Sequence, residues 1–152
     1  MKVDQSIKNQ CLKLIEQKVR EQIVSCRKQI SDLKDSLIDD TKSSAGDKYE
    51  SSRERVAKDL NRLELQCAQY LKNMTFISSL DSGIKDVTSL GSLVKTKQGV
   101  YFFSLPLGKI TLGKDDFYAL SITSPIGKAM LGTKVGDCVM FQGREITILD
   151  II

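Results

Sequence analysis

Two carboxylates three residues apart, Asp47 and Glu50, stand in the stretch Gly46-Asp47-Lys48-Tyr49-Glu50. At positions i and i+3 of a helix they share one face, so they concentrate negative charge and oxygen donors at one spot. The same spacing has a plainer use. Asp47 ahead of a helix, with Glu50 three residues on, is a capping-box arrangement, and carboxylates suit the positive end of a helix dipole. The residue types leave both roles open, and the two are compatible. Behind the pair, Lys48, Arg53, Arg55 and Lys58 form a basic cluster. It could meet RNA or an acidic wall, or simply keep an exposed helix solvated.

Several other chemistries are excluded. The 152 residues contain no histidine, which removes Ser-His-Asp and Cys-His catalysis and histidine-ligated metals. The four cysteines, Cys11, Cys26, Cys67 and Cys138, contain no C-x-x-C, so zinc spacing is absent. Three of them fall on apolar helix positions, where a thiol behaves as a small hydrophobe, and they read as buried and reduced. The formal net charge is +4, with 23 basic against 19 acidic residues. No block of like charge marks a nucleic-acid arm, so direct DNA or RNA binding is left open and unsignalled. No apolar run of about 18 residues occurs, and no signal peptide is expected. A cytoplasmic protein without membrane contact is expected.

The elements that must position the acidic pair follow from periodicity. From Asp4 to about Asp40 there is no Gly or Pro, and apolar residues recur at Leu12, Ile15, Val19, Ile23, Cys26, Ile30, Leu33 and Leu37. Steps of three and four are the coiled-coil seam. A helix of this length would run roughly 50 Å at ~1.5 Å per residue, too long for a small domain, so part of it should project. Residues Thr41 to Gly46 break the pattern as a helix–helix connection does. The seam resumes at Val56, Leu60, Leu63, Cys67, Tyr70 or Leu71, Met74 and Ile77.

A fold-back around Ser43 would face Ile30 with Val56, Cys26 with Leu60, Ile23 with Leu63 and Val19 with Cys67. No cysteine then falls opposite another, and no disulfide is expected. The hairpin satisfies its own seam, which predicts a monomer. The expected domains are residues 1–81, an antiparallel coiled coil with its tip at 41–50, and residues 82–152.

After Asp81-Ser82-Gly83 the pattern changes to short runs between turns. Residues 92–96 and 100–104, joined at Gln98-Gly99, read as a β-hairpin. Pro106 and Gly108 interrupt it, and Phe117 to Ile122 is a further strand. Ser124-Pro125 opens a short helix over Ile126 to Leu131, with Ser as the cap and Pro first. Two more strands flank the Gln142-Gly143 turn. The fold class is α+β: a long helical hairpin followed by a small, mainly antiparallel-sheet domain.

The run Ser124-Pro125-Ile126-Gly127-Lys128-Ala129-Met130-Leu131-Gly132-Thr133-Lys134-Val135-Gly136-Asp137 resembles the signature S-P-[IL]-[GA]-[RK]-A-[IL]-[IL]-G-K-x-x-G-D of the Gre family of bacterial transcript-cleavage factors. The order of hairpin and sheet domain is similar too, as in a divergent, short branch of that family. The resemblance implies an FKBP-like C-terminal domain that docks at the rim of the RNA polymerase secondary channel, with Ser124, Pro125, Gly127 and Lys128 as docking residues. It implies a coiled coil that enters the channel. Gly46, Asp47 and Glu50 match the family's tip pattern G-D-x-x-E-N-x-x-Y, while Ser51 stands where that pattern has Asn and Tyr49 precedes the Glu. The family's two acidic residues help hold a Mg²⁺ in the polymerase active centre, which makes Asp47 and Glu50 the catalytic and metal-binding candidates.

The implied function is modulation or stimulation of transcript cleavage. The partner would be bacterial RNA polymerase, with the transcript 3′ end met indirectly. The chain would not be an enzyme and would have no cofactor of its own beyond the shared Mg²⁺. Two alternatives stay open: a secondary-channel regulator without cleavage, and a coiled-coil adaptor unrelated to polymerase. A prolyl isomerase, suggested by the FKBP-like fold, is disfavoured by the lack of Trp and the modest aromatic content.

Overall fold

Apolar steps of three and four over Gln5–Asp40 and Gly46–Ser78 become two long helices, α1 and α2. The computed structural model describes residues 1–40 and 46–152, with side chains described for 1–38 and 50–152. The side chains of Asp47 and Lys48 therefore lie outside the described residues. The Asp4 carboxylate starts α1 by accepting the Ile7 N–H at 2.9 Å, satisfying one of the free donors of the first turn. Among the described residues no helix is long and apolar enough to cross a membrane.

The chain forms two compact units, Lys18–Thr75 and Met1–Gln17 with Phe76–Ile152. The sequence-based division falls at residue 81 instead, a single cut that leaves both helices whole.

In Lys18–Thr75 the buried positions follow the seam. Val19, Ile23 and Cys26 on α1 and Val56, Leu63 and Cys67 on α2 are buried. Leu60, Tyr70 and Met74 are half-buried, and Leu71 is exposed, so Tyr70 takes the inward position. The register differs from expectation. The Cys26 thiol donates to the carbonyl of Leu63 at 3.2 Å rather than facing Leu60. Cys26, Leu63 and Cys67 form one buried cluster, with Ile30, Leu33 and Tyr70 against it. The expectation that no cysteine meets another is therefore corrected. A slip of about one turn carries a three-four seam onto itself, so apolar spacing alone does not choose between neighbouring registers.

The other unit carries a sheet. Its strands are β1 (Leu93–Thr96), β2 (Val100–Phe103), β3 (Gly108–Leu112), β4 (Asp115–Leu120), β5 (Cys138–Phe141) and β6 (Arg144–Ile151). They lie in the order β3-β4-β2-β1-β6-β5. A short helix α3 (Pro125–Met130) falls between β4 and β5. The β1–β2 hairpin forms as expected, with Thr96 Oγ1 accepting the Gln98 and Gly99 N–H groups in its turn.

Strand β3 was not expected, because only Ile110 along it is buried and an edge strand needs little apolar patterning. It takes the outermost place and leaves a gap that β4 fills. Strand β4 therefore runs parallel to β2, which makes the sheet mixed rather than purely antiparallel. The remaining four pairings are antiparallel. Side chains alternate across the sheet. Phe103 joins Val94, Met130, Ile146, Ile148 and Ile151 in one core, with Tyr101 packed against it. Phe102, equally buried, points to the opposite face.

Candidate functional site

The fourteen-residue stretch from Ser124 to Asp137 folds into a capped helix and the turn that leads to β5. Ser124 Oγ accepts the Gly127 N–H at 3.1 Å and donates to the Ser121 carbonyl at 2.6 Å. Pro125 takes the first helical position, where its missing N–H costs nothing. Gly127 is buried, and a Cβ there would lie 2.3 Å from the Ser121 carbonyl oxygen. Only glycine lets α3 sit this close to the end of β4.

Downstream, Thr133 donates to the Met130 carbonyl at 2.7 Å and shares a 2.8 Å hydrogen bond with Thr88. The Gly132 N–H reaches the Thr88 carbonyl at 2.8 Å. Asp137 Oδ2 accepts the Lys134 N–H at 2.8 Å. Most of this stretch is therefore occupied in holding its own shape.

Of the four proposed docking residues, Ser124 and Gly127 face inward, while Pro125 and Lys128 are exposed. The same stretch leaves Leu131 at 50% and Val135 at 57% exposure, so its outer side is apolar as well as basic. Sequence reasoning singled out neither Leu131 nor Val135 as surface residues, since their patterning also suits a core.

Beside α3 lies a cavity of about 370 Å³ lined by Tyr101, Ile126, Phe141, Ile146, Gln98, Gln142 and Arg144. Of its lining, Ile146 is buried and Tyr101, Ile126 and Phe141 are half-buried, while Gln98, Gln142 and Arg144 are exposed. Gln98 is held there by a 2.6 Å bond from its Nε2 to the Glu145 carbonyl. Burial raises the Tyr101 phenol above its ordinary pKa, and nearby Tyr118 adds to this against a hydrogen bond with Thr96. The two rings are tilted, with centroids 5.8 Å apart. No sequence pattern pointed to this cavity, because its lining comes from three separate stretches, 98–101, 126 and 141–146.

The acidic pair lies elsewhere in the chain. Helix α2 begins at Gly46, so Asp47 is the second helical residue rather than the residue ahead of the helix. A carboxylate at that position suits the positive first turn, and whether its side chain caps the helix lies outside the described residues. Glu50 is exposed, as are Arg53, Arg55 and Lys58. The structure thus brings Ser124, Pro125, Gly127 and Lys128 together on α3 and its cap, and places Glu50 and the described basic residues along the start of α2. Among the described residues no group of three or more His, Cys, Asp or Glu is placed to hold a metal ion.

The chain is similar to solved structures of GreA factor homolog 1 (Gfh1). The Thermus thermophilus protein is 22% identical, with 92% of this chain and 96% of that chain covered and a TM-score of 0.38. The Thermus aquaticus protein is also 22% identical, with 91% and 94% covered and a TM-score of 0.34. No family model matches the chain, and no curated protein matches it. What the chain does is therefore read from its own residues.

Proposed function

We propose that this chain is a Gre-type transcription factor that binds bacterial RNA polymerase and acts through its secondary channel. The sheet-bearing unit docks, with Pro125 and Lys128 as contacts. Ser124 and Gly127 act indirectly, by fixing the shape of α3. The acidic pair Asp47 and Glu50 then stimulates hydrolysis of the 3′ part of a backtracked transcript. The polymerase performs the hydrolysis, so the chain is an accessory factor rather than an enzyme, working in the cytoplasm.

The observation that carries this reading is the presence, in one chain, of the Ser124–Asp137 stretch folded as a capped helix and of an exposed Glu50 at the start of a long paired helix. Helix α1 runs for roughly 33 Å from Lys18 to Asp40 at ~1.5 Å per residue. The acidic pair lies at that same end of the two helices, where α2 begins.

Cleavage of a phosphodiester needs charge to offset the phosphate and an activated water, which bound Mg²⁺ supplies. Magnesium takes oxygen ligands and often only one or two protein carboxylates at such sites. The donor set of Asp47 and Glu50, oxygen only and three residues apart, fits that requirement. The polymerase's own carboxylates would provide the rest.

The test is an RNA cleavage assay on a backtracked elongation complex with the cognate polymerase, with and without the full chain. Faster release of 3′ fragments supports the proposal. Binding without any change in cleavage would favour the second reading, a channel-binding regulator. Ser51 and the placement of Tyr49, both departures from the family's tip pattern, are what favour that alternative. Absence of polymerase binding removes both and leaves the coiled-coil adaptor.

A further inference from the structure

We propose that Cys26 and Cys67 form an oxidation-sensitive pair whose disulfide bolts α1 to α2. The two thiols belong to one buried cluster with Leu63, at 2% and 8% exposure. They come from different helices, and a bond between them would close the segment of chain that contains the acidic pair. The Cys26 thiol is turned across the interface, donating to the Leu63 carbonyl at 3.2 Å, one turn from Cys67. Cys67 packs in the same buried cluster as that thiol. Access exists from one side, since Cys26 also lines an open groove of about 310 Å³ whose walls include Ser25, Gln29 and Tyr70. Cys11 and Cys138 are not in this cluster. This inference stands apart from the transcription reading and survives its failure.

The oxidant is a hydroperoxide. One cysteine, as thiolate, attacks a peroxide oxygen. The O–O bond breaks, the leaving oxygen departs as water after protonation, and the cysteine becomes a sulfenic acid. The second sulfur then attacks the first, forming S–S and breaking S–O, and water leaves with the second thiol's proton. Two thiols together lose two protons and two electrons, and hydrogen peroxide becomes two waters. Burial, reinforced by neighbouring Cys67, holds the Cys26 thiol above its ordinary pKa despite an opposing pull from Arg62. The reaction is therefore slow near neutrality and quickens as pH rises.

The experiment treats the full chain carrying Cys138→Ser with hydrogen peroxide and maps it without reduction. Trypsin should release residues 21–27 joined to residues 63–72, with a mass two hydrogens below the sum of the free peptides. The linked species should melt at higher temperature, return to the starting value with dithiothreitol, and be missing in the further variant Cys26→Ser. Should Cys26→Ser fail to fold, the peptide map on the folded parent decides alone. A mixture of pairings that includes Cys11, or no linked peptide while exposed Cys138 of the unsubstituted chain oxidises, overturns the proposal.

Discussion

Lys8 donates from its Nζ to the carbonyl oxygen of Gly83 at 2.7 Å, with a second bond to the Ile152 carbonyl at 2.9 Å. One fully buried ammonium thus ties the start of α1 to the segment after α2 and to the strand-like end of β6. The neighbouring Gln5 adds a 2.9 Å bond to the Ser82 carbonyl. Gly91, at φ +87°, approaches so near that a Cβ there would lie 2.3 Å from the Asp81 carbonyl oxygen. Residues 81–83 are therefore gripped from two sides, which fixes the path of the chain as it enters the sheet.

Lys8 makes stability depend on pH. Burial, with help from nearby Lys85 and against Asp81, lowers its pKa from 10.5 to about 8. Below pH 8 the amine is charged both folded and unfolded, so its burial cost is constant. Between about 8 and 10.5 the unfolded chain holds the extra proton, and stability rises with pH. Urea unfolding at pH 7 and pH 10 should show the native chain gaining on the order of 2 kcal/mol relative to Lys8→Met. Equal pH responses would mean that the ammonium is solvated.

The α3 region separates folding from docking. Gly127→Ala forces a Cβ against the Ser121 carbonyl and should cost about 1–3 kcal/mol. Ser124→Ala removes the cap and should cost roughly 0.5–2 kcal/mol. Exposed Lys128→Ala should leave the melting temperature within a degree or so, since surface changes usually fall within about 0.5 kcal/mol. If docking runs through α3, Lys128→Ala should still weaken polymerase binding several-fold in a pull-down or titration. Unchanged binding would assign this stretch to folding alone.

How much of this could be read beforehand differs by feature. The Ser124 cap and Pro125 were legible because their job is local, written in adjacent residues. Val56, Leu63 and Cys67 were legible because seam periodicity reports burial directly. The match of Cys26 to Leu63 was not, since repeating spacing tolerates a slip. Lys8 was hidden for a different reason: its residue type predicts solvent, and its carbonyl partners at Gly83 and Ile152 lie 75 and 144 residues away in sequence. Strand β3 was missed because Ile110 alone points inward, and the parallel placement of β4 follows from that omission.

The Gln142-Gly143 turn is a place for a gain. Gln142 holds φ +49° and Gly143 φ +74°, the pattern of a two-residue hairpin turn that prefers Asn-Gly. A glutamine side chain is poorly suited to a positive φ, whereas asparagine tolerates it. Gln142→Asn should raise stability by a few tenths of a kcal/mol up to about 1 kcal/mol. A lower melting temperature would show that the Gln142 side chain, at the rim of the cavity beside Tyr101, contributes more than its backbone costs.

The acidic pair can be tested without disturbing its helix. Asp47→Asn with Glu50→Gln keeps the size and hydrogen-bonding reach of both side chains and removes both charges. Loss of favourable charge in the first turn of α2 should cost no more than about 1 kcal/mol, seen as a small drop in melting temperature. Under the proposed function the same variant should still bind polymerase, because docking lies on α3, yet lose its stimulation of transcript cleavage by tenfold or more. A tenfold loss corresponds to about 1.4 kcal/mol of transition-state stabilisation, a modest demand for two carboxylates beside a metal-assisted reaction. Full stimulation by this variant would show that the charges at positions 47 and 50 serve only the helix, and any effect on cleavage would then have to come from the shape of the paired helices.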